Sequence, residues 1–198
     1  ATEDKAAFNV LLDRLTKDTD LRVRVSAIRS LGNLKDGRAA GPLLERGSNL
    51  LLAIRSSSEA ADRAASRAYP RETNELLEVA TALGRILQGT ADQAALAWLR
   101  PAREQLGRVA PELEIAFAQV APSAYLSESG SGADAKRKAQ ELLLLNWKAS
   151  ASLAQGLGAI AALPDSTRDK TMVSAQAEDI LRAMLDYRSS GLAIKTLV

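Results

Sequence analysis

The chain contains no cysteine and no histidine. The first absence excludes disulfides and thiolate metal sites. The second removes the commonest general base, the commonest metal ligand and the usual charge switch near neutral pH. Aromatic residues make up only 4% of the 198 positions, while hydrophobic residues make up 46%. A core must therefore be built from Ala, Leu, Ile and Val, which favours closely packed helices over a β-sandwich rich in aromatic and β-branched residues. No charge of one sign dominates, since 26 Lys and Arg face 24 Asp and Glu. That balance argues against a nucleic-acid groove, which needs a strongly basic face. Long apolar runs are missing too: Leu142–Leu145 falls far short of the roughly 20 residues that span a bilayer. No signal peptide is legible, which leaves the compartment open with the cytoplasm favoured.

What is present is helical periodicity along nearly the whole length. Ala7, Val10, Leu11 and Leu15 share one face, and Val23, Ala27, Leu31 and Leu34 form a second stripe. The KDTD run at 17–20 stops one helix and supplies caps for the next. Lys35-Asp36-Gly37 breaks that helix, and Pro42 suits the first turn of a third. Thr73 and Asn74 are placed to cap the helix of Leu76, Leu77, Val79, Leu83 and Leu87. Pro101 kinks or splits a helix over 91–109, Pro111 opens another, and Pro122 ends that one or starts its successor. SESGSGADAKRK at 127–138 reads as a flexible loop, and Ser189-Ser190-Gly191 as the break before a short last helix, GLAIKTLV. No strand is expected.

The chain also repeats itself. SAIRSLGNL (26–34) resembles EVATALGRI (78–86) and SLAQGLGAI (152–160). EIAFAQVAP (114–122) is a weaker copy, with Phe117 and Ala118 in the Leu-Gly places. The small residue is Gly32, Gly84, Ala118 and Gly158, at spacings of 52, 34 and 40. Helix-pair arrays repeat every roughly 30–47 residues, so the first spacing implies an insertion near 47–70. A small residue beside the leucine lets two helix backbones approach closely.

Around the first copy the order is Asp18 and Asp20, Val23-Arg24, Ala27, Leu31-Gly32-Asn33-Leu34, Asp36, Ala39 and Pro42-Leu43-Leu44. This resembles HEAT repeats, in particular the short HEAT-like type. The resemblance covers about two thirds of the chain. It implies one all-α domain over 1–198: a right-handed α-solenoid of antiparallel helix pairs, in about four to five units. In that reading Asp20, Arg24, Gly32, Asp36, Gly84 and Gly158 are structural positions, with Asp20 and Arg24 in a ladder of caps and charge pairs.

The expected function follows from the architecture, because the motif itself carries no chemistry. An α-solenoid offers a concave face to another protein or peptide, and a non-catalytic interaction scaffold is the expectation, with no cofactor, no metal and no membrane. Arg22, Ser26, Arg29 and Asn33 form a polar stripe, either a contact surface for an acidic partner or a solvated helix face. Trp98 and Trp147 are exposed anchors or fillers at helix junctions, and Tyr125 and Tyr187 raise the same choice. The partner-binding residues offered are Arg22, Arg29, Asn33 and Trp98. Glu72, Glu75 and Glu78 could gather carboxylates for acid–base work, but on a helix surface they are solvated charges. Gly156-Leu157-Gly158 lacks the strand that precedes a phosphate loop, and Lys136-Arg137-Lys138 is too short a basic run to hold nucleic acid. The alternatives are a HEAT-like enzyme, of the bilin lyase or isomerase type or the DNA glycosylase type, or one segment of a larger structural solenoid. Self-association into a homo-oligomer stays open, since GLAIKTLV carries no polar cap.

Overall fold

A computed structural model describes residues 2–61, 71–130 and 132–196, with side chains over 6–56, 73–130 and 132–186. Among the described residues there are helices and no strands. They are α1 (Thr2–Lys17), α2 (Leu21–Leu34), a 3-10 turn (Gly37–Ala39), α3 (Ala40–Ala61), α4 (Arg71–Ile86) and α5 (Gln93–Gln105). There follow α6 (Pro111–Val120), α7 (Pro122–Ser129), α8 (Gly132–Leu145), α9 (Trp147–Ala161) and α10 (Lys170–Thr196).

Local chemistry sets the boundaries. The Asp20 carboxylate accepts the Arg22 N–H at 2.8 Å and starts α2, and Lys35 ends it in the left-handed region at φ 52°. Asp36 starts the 3-10 turn by accepting the Arg38 N–H at 3.0 Å. Asp92 and Asn146 open α5 and α9 by accepting from Ala95 and Ala149. Each such cap is worth about 1 kcal/mol. Pro111 and Pro122 stand at the first positions of α6 and α7, where a missing N–H leaves no bond unmade.

Three expected boundaries are corrected. Thr73 and Asn74 do not cap α4, which already begins at Arg71, and the Thr73 hydroxyl is buried without a hydrogen-bond partner. The stretch 127–138 is no loop: α7 runs to Ser129 and α8 starts at Gly132, so Gly130 and Gly132, both at positive φ, take up the turn. Asp134 stabilises the first turn of α8 and receives Arg137 and Lys138 from the next, which makes this charged run a helix start. Ser189, Ser190 and Gly191 do not interrupt α10. The expected insertion at 47–70 coincides with α3 as far as Ala61, and its remainder lies outside the described residues, as do the side chains of GLAIKTLV.

The repeated segments become a row. α2 packs on α4, α4 on α6, and α6 on α9. α1 covers α2, α3 covers α4, α5 covers α6, and α10 packs on α9, α8 and α7. Along the seam between α2 and α4, Arg24 meets Glu75, Arg29 meets Glu78 and Asn33 meets Arg85. Partner numbers rise together, so these two helices run parallel. A Cβ on Gly32 would lie 2.9 Å from the Ala82 Cα, and one on Gly84 3.0 Å from the Ala116 Cα. Only glycine permits that approach. Gly158 departs from the pattern: nothing lies within 4 Å of its would-be Cβ, and it is exposed. Gly156, two residues earlier, is the one pressed against a neighbour, 3.2 Å from the Glu114 carbonyl and against the Tyr125 ring. One continuous core runs through the row, with Ile28, Leu31, Leu83, Leu113, Phe117 and Leu157 fully buried.

Candidate functional site

The polar stripe of α2 forms one wall of a groove. Arg22 and Ser26 are exposed, and with Leu21, Val25 and Arg29 they face Asn74, Leu77, Glu78 and Thr81 of α4. Glu112, in the first turn of α6, closes one end. The space is about 500 Å³. Arg29 forms an ion pair with Glu78, and the Asn33 side-chain oxygen accepts from the Arg85 guanidinium at 2.7 Å. The hydrogen bond to Glu78 raises the Arg29 pKa further. Three of the four predicted partner residues, Arg22, Arg29 and Asn33, are thus exposed along one helix, and two of them are tied to α4.

The fourth, Trp98, must be withdrawn. Its side chain is 6% exposed, its ring sits where a Cβ on Gly47 would meet it at 2.7 Å, and its indole N–H has no partner. It fills the core in place of absent aromatics. Trp147 is the exposed one, at 70%, with the Lys148 ammonium 5.9 Å from its ring centre. Tyr125 is buried and meets Phe117 edge to face at 5.7 Å, while the side chain of Tyr187 lies outside the described residues.

Beside the groove lies a buried charge triad. Glu75 is 1% exposed and accepts four hydrogen bonds of 2.8–3.0 Å, two from Arg24 and two from Arg46. Arg24 also donates to the carbonyls of Asp18 and Thr19, so it ties the turn before α2 to α4. Burial pushes the Glu75 pKa up, but the two guanidiniums outweigh it and hold the carboxyl below its ordinary value. The expectation of solvated charges is corrected for Glu75, which is buried and points inward to Arg24 and Arg46, while Glu78 meets Arg29 at the surface. The side chain of Glu72 lies outside the described residues. A carboxylate held ionised by two arginines cannot serve as a general acid near neutrality.

A second network was not foreseen. Arg103, 4% exposed, grips Glu114, 2% exposed, through two bonds of 2.9 Å, and donates to Glu128 at 3.0 Å. Arg100 reaches the other oxygen of Glu128 at 2.8 Å. The Arg103 guanidinium lies 4.5 Å from the Phe117 ring centre and 5.4 Å from that of Tyr125. Burial raises the Tyr125 hydroxyl far above its ordinary pKa. The signal was legible: Arg103 follows Leu99 by one turn on the apolar face of α5. A cavity of about 210 Å³ adjoins this network, floored by Ala139, Leu142, Leu153 and Ile180.

The basic run is spoken for as well. Lys136 pairs with Asp179, Arg137 with Asp134 and Glu141, and Lys138 with Asp134. Among the described residues no three His, Cys, Asp or Glu side chains gather where they could hold a metal ion, and no helix is long and apolar enough to cross a membrane. Set against known proteins, the chain matches no family model, no curated protein and no solved structure, so the HEAT-like resemblance rests on its own residues.

Proposed function

We propose that this chain is a non-catalytic interaction scaffold, an α-solenoid of HEAT-like helix pairs that receives a peptide or helix of another protein along α2, α4 and α6. The groove carries this reading. It combines charge (exposed Arg22, half-buried Glu112) with an apolar floor (Val25, Leu77), over a volume that accommodates a few side chains of a partner. The buried triad beside it supports the same reading, because it fixes the two walls at a set distance. The repeated Leu-Gly segments that line up in one row are what the HEAT-like assignment rests on.

A photo-cross-linker at Ser26 captures the occupant, and purified occupant then gives an affinity. Because Arg29 is tied to Glu78, reversing its charge would set two carboxylates together. Arg22→Glu with Thr81→Arg alters the groove without breaking a pair. At least a tenfold loss of affinity is expected, about 1.4 kcal/mol. An unchanged affinity in a folded double variant refutes this placement.

A further inference from the structure

We propose that the cavity beside Arg103 binds a short aliphatic carboxylate such as hexanoate, with its charged head on Arg108 and Lys138. The inference rests on that cavity alone and is independent of the groove assignment.

The cavity lies between helices, within the stack. Arg103 comes from α5, Glu114 from α6, Glu128 from α7, Lys138 from α8, Leu153 from α9 and Ile180 from α10. Its floor is aliphatic: Ala135, Ala139, Leu142, Leu153 and Ile180 line it, and no aromatic ring does. The volume is about 210 Å³. An apolar cavity of about 150 Å³ takes a benzene molecule, so by proportion this one takes about eight non-hydrogen atoms. Hexanoate is a ligand of that size.

Charge selects the head group. Both carboxylates of the lining are already met on each oxygen. Glu114 receives Arg103 through two bonds of 2.9 Å, and Glu128 receives Arg100 at 2.8 Å and Arg103 at 3.0 Å. They have little left to offer an ammonium group. The cations are less fully matched. Arg103 carries five N–H donors and gives three of them to these carboxylates. Arg108 turns Nε and Nη2 to one oxygen of Glu104, and its Nη1 meets no acceptor among the described residues. Lys138 pairs with Asp134, which Arg137 also engages. Neither Glu104 nor Asp134 lines the cavity. Three cations against two engaged carboxylates make the lining attractive to one negative charge.

The position of these cations fits a head group at the entrance. The side chains of Arg108 and Lys138 line the cavity and are 49% and 53% exposed, which puts them at its mouth above the apolar floor. The backbone brings Arg108 there. Gly107 and Arg108, at φ 63° and 57°, both take the left-handed conformation, and the Arg108 N–H closes the turn on the Arg103 carbonyl at 2.9 Å. A residue with a β-carbon adopts that conformation at a cost. Here it sets a second guanidinium on the cavity that Arg103 already borders, and a guanidinium suits a carboxylate well.

Titration of isotope-labelled protein with sodium hexanoate, followed by amide NMR shifts, reads binding and place together. Saturable shifts are expected at Ala139, Leu142, Leu153 and Ile180. Hexylammonium has the same tail with the opposite charge, and acetate has the head alone; each should bind about tenfold more weakly or worse. Decanoate should gain no affinity over hexanoate, because its added methylenes find no room, whereas an open apolar patch would reward each of them. Leu142→Trp fills the cavity and should abolish the saturable shifts. Arg108→Gln with Lys138→Gln removes only exposed charge, and should weaken hexanoate about tenfold and erase its advantage over hexylammonium. Circular dichroism confirms that each variant is folded, and if Leu142→Trp is not, the double variant decides alone. The proposal is overturned if hexanoate gives no saturable shift up to tens of millimolar, or shifts only residues outside the cavity. Equal binding of hexylammonium, affinity that climbs through decanoate, or a folded variant that binds hexanoate like the wild type overturns it as well.

Discussion

Replacing Glu75 by Gln removes one negative charge from between two guanidiniums and leaves the shape of the side chain intact. Glu75 is 1% exposed and holds all four of its short hydrogen bonds with Arg24 and Arg46. Breaking a fully buried pair costs about 3–5 kcal/mol, because the abandoned charge has been taken out of water. Two features pull the figure to the low end. Arg24 keeps its carbonyl acceptors at Asp18 and Thr19, and the Arg46 side chain is 30% exposed and can turn to solvent. The expected loss is about 3 kcal/mol at neutral pH. In a chain of this size that lowers Tm by about 6–12 °C.

The pH dependence supplies a second readout from the same variant. The folded pKa of Glu75 lies below the unfolded one, so its contribution to stability is fully present above the unfolded value of about 4.3 and is lost as pH falls through the folded value. Urea unfolding followed by circular dichroism at neutral pH and then in acid should show the gap between wild type and Glu75→Gln narrowing as acid is added. A neutral-pH loss under about 1 kcal/mol, the level of an exposed pair, would refute the reasoning. A gap independent of pH would refute it equally.

Gly32→Ala forces a methyl to within 2.9 Å of the Ala82 backbone and should cost about 1–2 kcal/mol net of the gain in helix propensity, whereas Gly158→Ala should stabilise dilute protein by about 0.5–1 kcal/mol, both read by thermal melts. Trp147→Phe should leave the blue-shifted, poorly quenched fluorescence of buried Trp98, and acrylamide quenching of both proteins checks it. Arg103→Met strands Glu114 and should cost about 3–5 kcal/mol, with most of that recovered when Glu114→Leu is added.

The helical class and the close approaches at Gly32 and Gly84 were legible because they rest on short-range spacing. A leucine, a small residue one step later and an aspartate in the turn act within a few residues of one another. Asp20, Asp36 and Asp92 cap as their positions suggest. The misreadings share a different cause. Gly, Ser and charge at 127–138 suggested a loop, but Asp134 and the cations one turn later favour a helix start, and two glycines suffice for the corner. Trp98 and Trp147 sit in similar apolar stretches, and it is Trp98 whose ring finds room against Gly47 across the interface. Gly158 matches Gly32 in sequence, yet its surroundings depend on whether another helix follows in the row. Of the groove, the α2 wall was visible as a stripe. Glu78, Leu77 and Glu112 were not, because no local pattern says which helices become neighbours.

Stripes of alanine and leucine are nearly interchangeable, so a stack of such rods could slip by one place with little loss of apolar burial. Glu75 and Arg103 forbid it. Shift α4 or α5 against its neighbour and an ion that was satisfied on every side is left facing methyl groups, a penalty of several kcal/mol. These charges act as keys cut for one lock each. They add little cohesion over a well-packed apolar filling, but they make the correct order of rods the only one that closes.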